Sequence, residues 1–128
     1  MENICQKCGK CCLETEMIIS IKDIERIISN LEHVCKEDFV YKNRDGFYQL
    51  KNNDGRCIFY NAFYKSCKIY EYRPQGCRLY PLVYHTERKK CIIDGECPSP
   101  EVISFIKQNK IKLCNILRKY LRKELNIH

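Results

Sequence analysis

No stretch of this chain is apolar for long enough to cross a bilayer, which argues against a membrane-spanning helix. The opening residues, MENICQKCGK, are polar and reach a cysteine at position 5, so no secretory leader is expected. There is no glycine-rich phosphate-binding loop and no complete catalytic motif, which leaves nucleotide-dependent chemistry without a signal. There is no internal repeat. His33, His85 and His128 have no ligand spacing and are expected at the surface. Alanine occurs once, at Ala62, while Ile and Lys abound; this bias fits an AT-rich genome and carries no functional information.

What is present is cysteine, eleven of them in 128 residues. That length predicts one domain, spanning 1–128, and the hydrophobic content of 45% excludes a disordered chain. A core of this size often needs a covalent or metal staple. An odd cysteine count forbids complete internal pairing. Without a leader, the expected location is cytoplasmic, where such a pattern points to reduced thiolates on metal. A disulfide scaffold is the alternative, since intracellular proteins of hyperthermophiles do carry disulfides.

The formal net charge is +7, counted with neutral cysteines. A metal ligand must be the thiolate, so two four-thiolate sites would lower that charge to about +3. A solvated basic surface accounts for the remainder. No aromatic–basic platform is identifiable, so a nucleic-acid partner is not expected.

The pattern of elements predicts an α+β fold: short strands and hairpins with two flanking helices, organised around cysteine-ligated metal. EMIIS (16–20) reads as a strand. Ser20, with Asp23 three residues on, has capping-box spacing at the start of a helix over 21–34. Ile24, Ile27, Ile28 and Leu31 recur at helical period, as a packing stripe does. Arg44-Asp45-Gly46 and Asp54-Gly55 lie between apolar runs and predict hairpin turns. Pro74 and Pro81 push Arg73 and Tyr80 toward extended backbone, with a helical turn before Arg73. HTERKK (85–90) reads as a loop or hairpin tip. Ser99 and Pro100 open a last helix, running to about 124, with Val102, Ile106, Leu113, Leu117 and Leu121 on one face. Its basic last turns complement the helix dipole.

Cys5, Cys8 and Cys11 form C-x-x-C-x-x-C, followed at once by Cys12. Two intervening residues let a tight turn aim neighbouring sulfurs at one centre, with Gly9 where the backbone must fold closely. Zinc uses four tetrahedral ligands, often from two such knuckles. Iron–sulfur clusters use C-x-x-C-x-x-C plus a distant cysteine, often before proline, and Cys97-Pro98 fits that description. Cys57, Cys67 and Cys77 come at ten-residue steps with no second knuckle, so they must converge through the fold.

These residues resemble the CxxCxxCC-type cysteine-cluster family, zinc- or iron-chelating domains also called YkgJ-like. The resemblance rests on CQKCGKCC, on ISIKDIERI, on RCIFY with CKIYEYRPQGCRLYP, and on GECP, and it covers residues 5–98. It implies that Cys5, Cys8, Cys11, Cys12, Cys57, Cys67, Cys77 and Cys97 are the metal ligands. It leaves Cys35, Cys91 and Cys114 outside. Cys114, near the apolar face of the last helix, and Cys35, at the end of the first, are expected to be small core residues. Cys91 is six residues before Cys97 and is open to ligand duty. Arg73 and Arg78 are expected to donate to carbonyls or offset thiolate charge, and Tyr70, Tyr72 and Tyr80 to pack around the site. Some larger relatives are linked to protein lysine methylation, an activity for which this chain shows no nucleotide loop.

Two functions follow. One is an iron–sulfur protein, with a [4Fe–4S] cluster favoured, acting in electron transfer or beside a redox or modifying enzyme. The other is a zinc-stabilised interaction module without catalysis. A vicinal redox pair at Cys11 and Cys12 ranks below both, because adjacent Cα atoms are about 3.8 Å apart, too close for an unstrained disulfide.

Overall fold

The computed structural model describes residues 16–61, 63–64, 66–94 and 99–128. Nine short strands and four helices alternate along it: β1 (Ile18–Ile19), α1 (Ile21–Asn30), β2 (Val40–Lys42), β3 (Tyr48–Leu50), β4 (Asn52–Asn53), β5 (Arg56–Cys57), β6 (Tyr60–Asn61), β7 (Ser66–Cys67), α2 (Gln75–Leu79), β8 (Leu82–His85), β9 (Lys90–Ile93), α3 (Pro100–Gln108) and α4 (Lys110–Glu124). Short 3₁₀ turns at Lys36–Asp38 and Tyr70–Tyr72 complete the chain. The mixed helix–strand class agrees with the sequence. Helix number does not, since four replace two.

The strands form one three-stranded antiparallel sheet in the order β1-β3-β2 and three separate hairpins, β4-β5, β6-β7 and β8-β9. Turn chemistry sets the register of the β4-β5 and β2-β3 pairs. Asp54 and Gly55 both have positive φ, 53° and 76°, the pair of left-handed residues that a two-residue type I′ hairpin needs. At the β2-β3 turn the Asn43 side chain accepts from the N–H groups of Asp45 and Phe47, and Gly46 takes φ 85°.

Helix α1 begins as a capping box: Ser20 Oγ accepts from Asp23 N at 3.0 Å, and Asp23 Oδ2 accepts from Ser20 N at 3.1 Å. It stops at Asn30, four residues short of the sequence expectation. Ser29 Oγ and Asn30 Nδ2 donate to the carbonyls of Glu25 and Arg26, which competes with helix continuation, and His33 turns left-handed at φ 56°. The long C-terminal helix is broken for the same reason. Asn109 takes φ −117° and ψ 18° while its Nδ2 donates to Phe105 O, dividing α3 from α4. Ser99 caps α3 through Val102 N, with Pro100 at the first position as expected.

Two apolar clusters result. The first joins Ile19, Ile24 and Ile27 to Phe39, Val40, Leu50, Cys57, Phe59 and Ile69. The second joins Leu79, Leu82, Cys91, Val102, Ile106, Leu117 and Tyr120. Of the predicted α3–α4 stripe, Val102, Ile106 and Leu117 are buried and Leu113 and Leu121 pack at its margin. No described helix is long and apolar enough to cross a membrane.

Candidate metal centre

Cys57 closes the type I′ hairpin on β5, opposite Asn52, and is 7% exposed within the first apolar cluster. Cys67, on β7 opposite Tyr60, is half-buried against that same cluster. Cys77 is the third residue of α2 and also half-buried. Cys5, Cys8, Cys11, Cys12 and Cys97 lie outside the described residues. Among the described residues no three Cys, His, Asp or Glu side chains gather closely enough to hold a metal ion.

The segment that carries Cys77 is held from several sides. Pro74, ahead of it, is fully buried. Arg73 Nη1 donates to Tyr70 O at 2.7 Å while its guanidinium lies 4.1 Å from the centre of the Tyr70 ring. Arg78 Nη2 donates to Glu71 O at 2.9 Å. Both arginines therefore donate to carbonyls, as the sequence suggested, and fix the bend ahead of α2. Beyond the helix, Tyr80 Oη donates to Asp94 Oδ2 at 2.7 Å and Asp94 N donates to Pro81 O at 2.8 Å. The Tyr80–Pro81 peptide is cis. Tyr72 packs on the first apolar cluster. Gly76 lies directly against Met17: a Cβ there would run into Met17 Sδ.

A buried carboxylate ties this segment to both long helices. Asp23 is 1% exposed. Its Oδ1 accepts from Arg26 Nη2 at 2.6 Å and from Gln75 N at 3.2 Å. Its Oδ2 accepts from Ser20 N and, at 2.6 Å, from Tyr120 Oη. Arg26 Nη2 also donates to Arg73 O at 3.0 Å, and Ser20 Oγ donates to Glu124 Oε1 at 2.7 Å. Burial, reinforced by the negative Asp23, pushes the Tyr120 hydroxyl well above its ordinary pKa and keeps it a donor. Sequence reading found Asp23 as a cap and missed its larger role. Tyr120, 97 positions away, gives no local signal that it is its partner.

Three expectations about the remaining cysteines are corrected. Cys91 and Cys114 form a disulfide, with Cα atoms 5.9 Å apart, joining β9 to α4. Cys91 is therefore no ligand, and Cys114 is not an isolated core thiol. Cys35 is an exposed thiol rather than a core residue, because α1 ends before reaching it. His33 and His128 are exposed as expected, whereas His85 is half-buried and its Nδ1 accepts from Arg88 N at 3.1 Å.

The chain is 38% identical over 82 residues to an uncharacterized protein of Methanocaldococcus jannaschii. That match takes in 60% of this chain and 43% of the relative, so the chain spans less than half of the relative's length. No solved structure matches. The family comparison covers residues 4–99, including all eight cysteines of the ligand pattern and none of the C-terminal helical pair. The chain belongs to the CxxCxxCC family, described as a "putative zinc- or iron-chelating domain".

Proposed function

We propose that this protein holds iron–sulfur through the thiolates of Cys5, Cys8, Cys11, Cys12, Cys57, Cys67, Cys77 and Cys97, and serves electron transfer or a redox or modifying enzyme. The observation that carries the reading is the position of α2. Its Gly76 abuts Met17, and Cys12 precedes Met17 by five residues, at most about 18 Å of chain. Its far end is tied through Tyr80 to Asp94, and Cys97 follows Asp94 by three residues, at most about 11 Å of chain. Covalent reach thus leaves Cys12 and Cys97 within about 18 Å and about 11 Å of chain of residues that touch the segment carrying Cys77, which supports the reading.

The donor chemistry fits the group. An all-cysteine set suits soft metal, and C-x-x-C-x-x-C with a late Cys-Pro suits an iron–sulfur centre in particular. Arg26 Nε is buried with no acceptor among the described residues, in a network that adjoins Arg73 and Gln75. Such a donor suits a thiolate-rich surrounding. The disulfide takes Cys91 and Cys114, both outside the ligand pattern, out of the thiol pool. Cys91 is 3% exposed, which shields that disulfide from reductants in a cytoplasm that keeps the ligand thiols reduced.

The zinc-stabilised module is favoured by a different observation. Most strands are two or three residues long and the apolar core is split into two small clusters, so a metal staple would supply stability without any redox role. Anaerobic purification with a visible spectrum and iron, sulfide and zinc analysis separates the readings. Broad visible absorption with matched iron and sulfide supports the first. A colourless protein with stoichiometric zinc and no iron removes it.

A further inference from the structure

Residues 100–128, outside the matched family region, carry seven Lys and Arg against two Glu, which is five of the seven net positive charges. The apolar side of α4 is spent on the core through Leu117 and Tyr120, with Leu113 and Leu121 beside them. At about 100° per residue, the opposite side is an arc of about 140° holding Arg118, Arg122, Lys119, Lys112 and Lys123 around Asn115. All six are exposed, and no carboxylate shares the arc. Among the described residues none of these cations is ion-paired; the one ion pair there is Arg26–Asp23.

The arc is extended by a second basic element. Arg118 Nη2 donates to Lys89 O at 3.0 Å, which seats the β8-β9 tip, with exposed Arg88, Lys89 and Lys90, against α4. The Cys91–Cys114 disulfide fastens the same two elements. Like charges repel, so a covalent link and a backbone acceptor hold together what electrostatics alone would part.

We infer that the α4 face and the β8-β9 tip form a binding surface for the phosphate backbone of double-stranded nucleic acid. An α4 arc free of carboxylates, joined to a tip whose Arg88, Lys89 and Lys90 outnumber its one carboxylate, Glu87, matches a partner of uniform, high negative charge. A protein interface would present an apolar centre; here the exposed apolar side chains on α4 are Ile111, off-centre between Arg118 and Arg122, and Ile116, just past Lys123, and the centre of the arc holds Asn115 and Lys119. A membrane-surface helix would offer its apolar side to lipid, and here that side is buried. No aromatic platform is needed, because phosphate contact reads no base.

The test is fluorescence anisotropy of the metal-loaded full chain with a mixed-sequence DNA duplex of about 20 base pairs, across a salt series. Five phosphate contacts give a log–log slope of about −4.5, and neutralising Lys119, Arg122 and Lys123 to Gln reduces it to about −1.8. Between 50 and 200 mM salt the native protein then loses about 500-fold in affinity and the triple variant only about 12-fold. Lys22→Gln with Arg44→Gln, which removes exposed cations elsewhere, leaves the slope unchanged. Circular dichroism and metal content certify the fold of each variant. No duplex binding at 50 mM salt overturns the inference. So does an equal loss in the Lys22/Arg44 control, and so does binding to phosphatidylserine vesicles without duplex binding.

Discussion

The Tyr120 hydroxyl donates to Asp23 Oδ2 at 2.6 Å across 97 positions of sequence. That bond joins α4, outside the matched family region, to the helix cap on which the Cys77 segment also rests through Gln75 N. Tyr120→Phe removes it and leaves a buried carboxylate one donor short. A loss of about 1.5–3 kcal/mol is expected from a hydrogen bond to a charged group. Denaturant unfolding measures it. An unchanged midpoint would mean that α4 is not coupled to the cap.

The same contact predicts an alkaline limit. The Tyr120 pKa is raised in the folded protein, first by burial and then by Asp23. A raised value means stability fully present below the unfolded pKa of about 10 and lost as pH climbs beyond it. Unfolding between pH 8 and pH 11 should show stability falling above about pH 10, and a shallower fall in Tyr120→Phe. Equal slopes for both proteins would assign the loss to other groups.

Cys91→Ala with Cys114→Ala opens a link across 23 positions. Chain entropy puts the cost at about 3 kcal/mol. Metal content should not change, because neither sulfur is placed among the ligands. Loss of a full metal equivalent would restore Cys91 to the ligand set.

Gly76→Ala adds a methyl that meets Met17 Sδ. The flexible Met17 side chain must shift to admit it, so an overpacking cost of about 1–3 kcal/mol is offset in part by a gain in helix propensity of about 1 kcal/mol. Pairing it with Met17→Ala should recover part of the stability and the metal content. If Gly76→Ala alone stabilises the protein, the chain entering at Met17 does not bear on α2.

Elements marked by local chemistry were readable in advance. Asp54-Gly55 announced a type I′ turn and Ser20 with Asp23 announced a cap, because both act within four residues. Carbonyl donation by the arginine pair around Cys77 was one of the two roles its position suggested. What escaped depended on tertiary pairing. Cys91 and Cys114 are apart in sequence, and no spacing rule joins a strand cysteine to a helix cysteine. Asn109 broke the last helix through its own side chain, a choice helical periodicity does not register. Of the ligand pattern, Cys57, Cys67 and Cys77 are located in the fold, while the knuckle and Cys97 lie outside the described residues.

The most direct test is metal and sulfide stoichiometry of anaerobically purified protein beside Cys77→Ser, Cys8→Ser and Cys35→Ser. The account predicts matched iron and sulfide in the native protein and in Cys35→Ser. It predicts loss of a full centre and of much of the fold's stability in Cys77→Ser and Cys8→Ser. Full iron and sulfide with unchanged melting in Cys77→Ser, or zinc alone in the native protein, would contradict it.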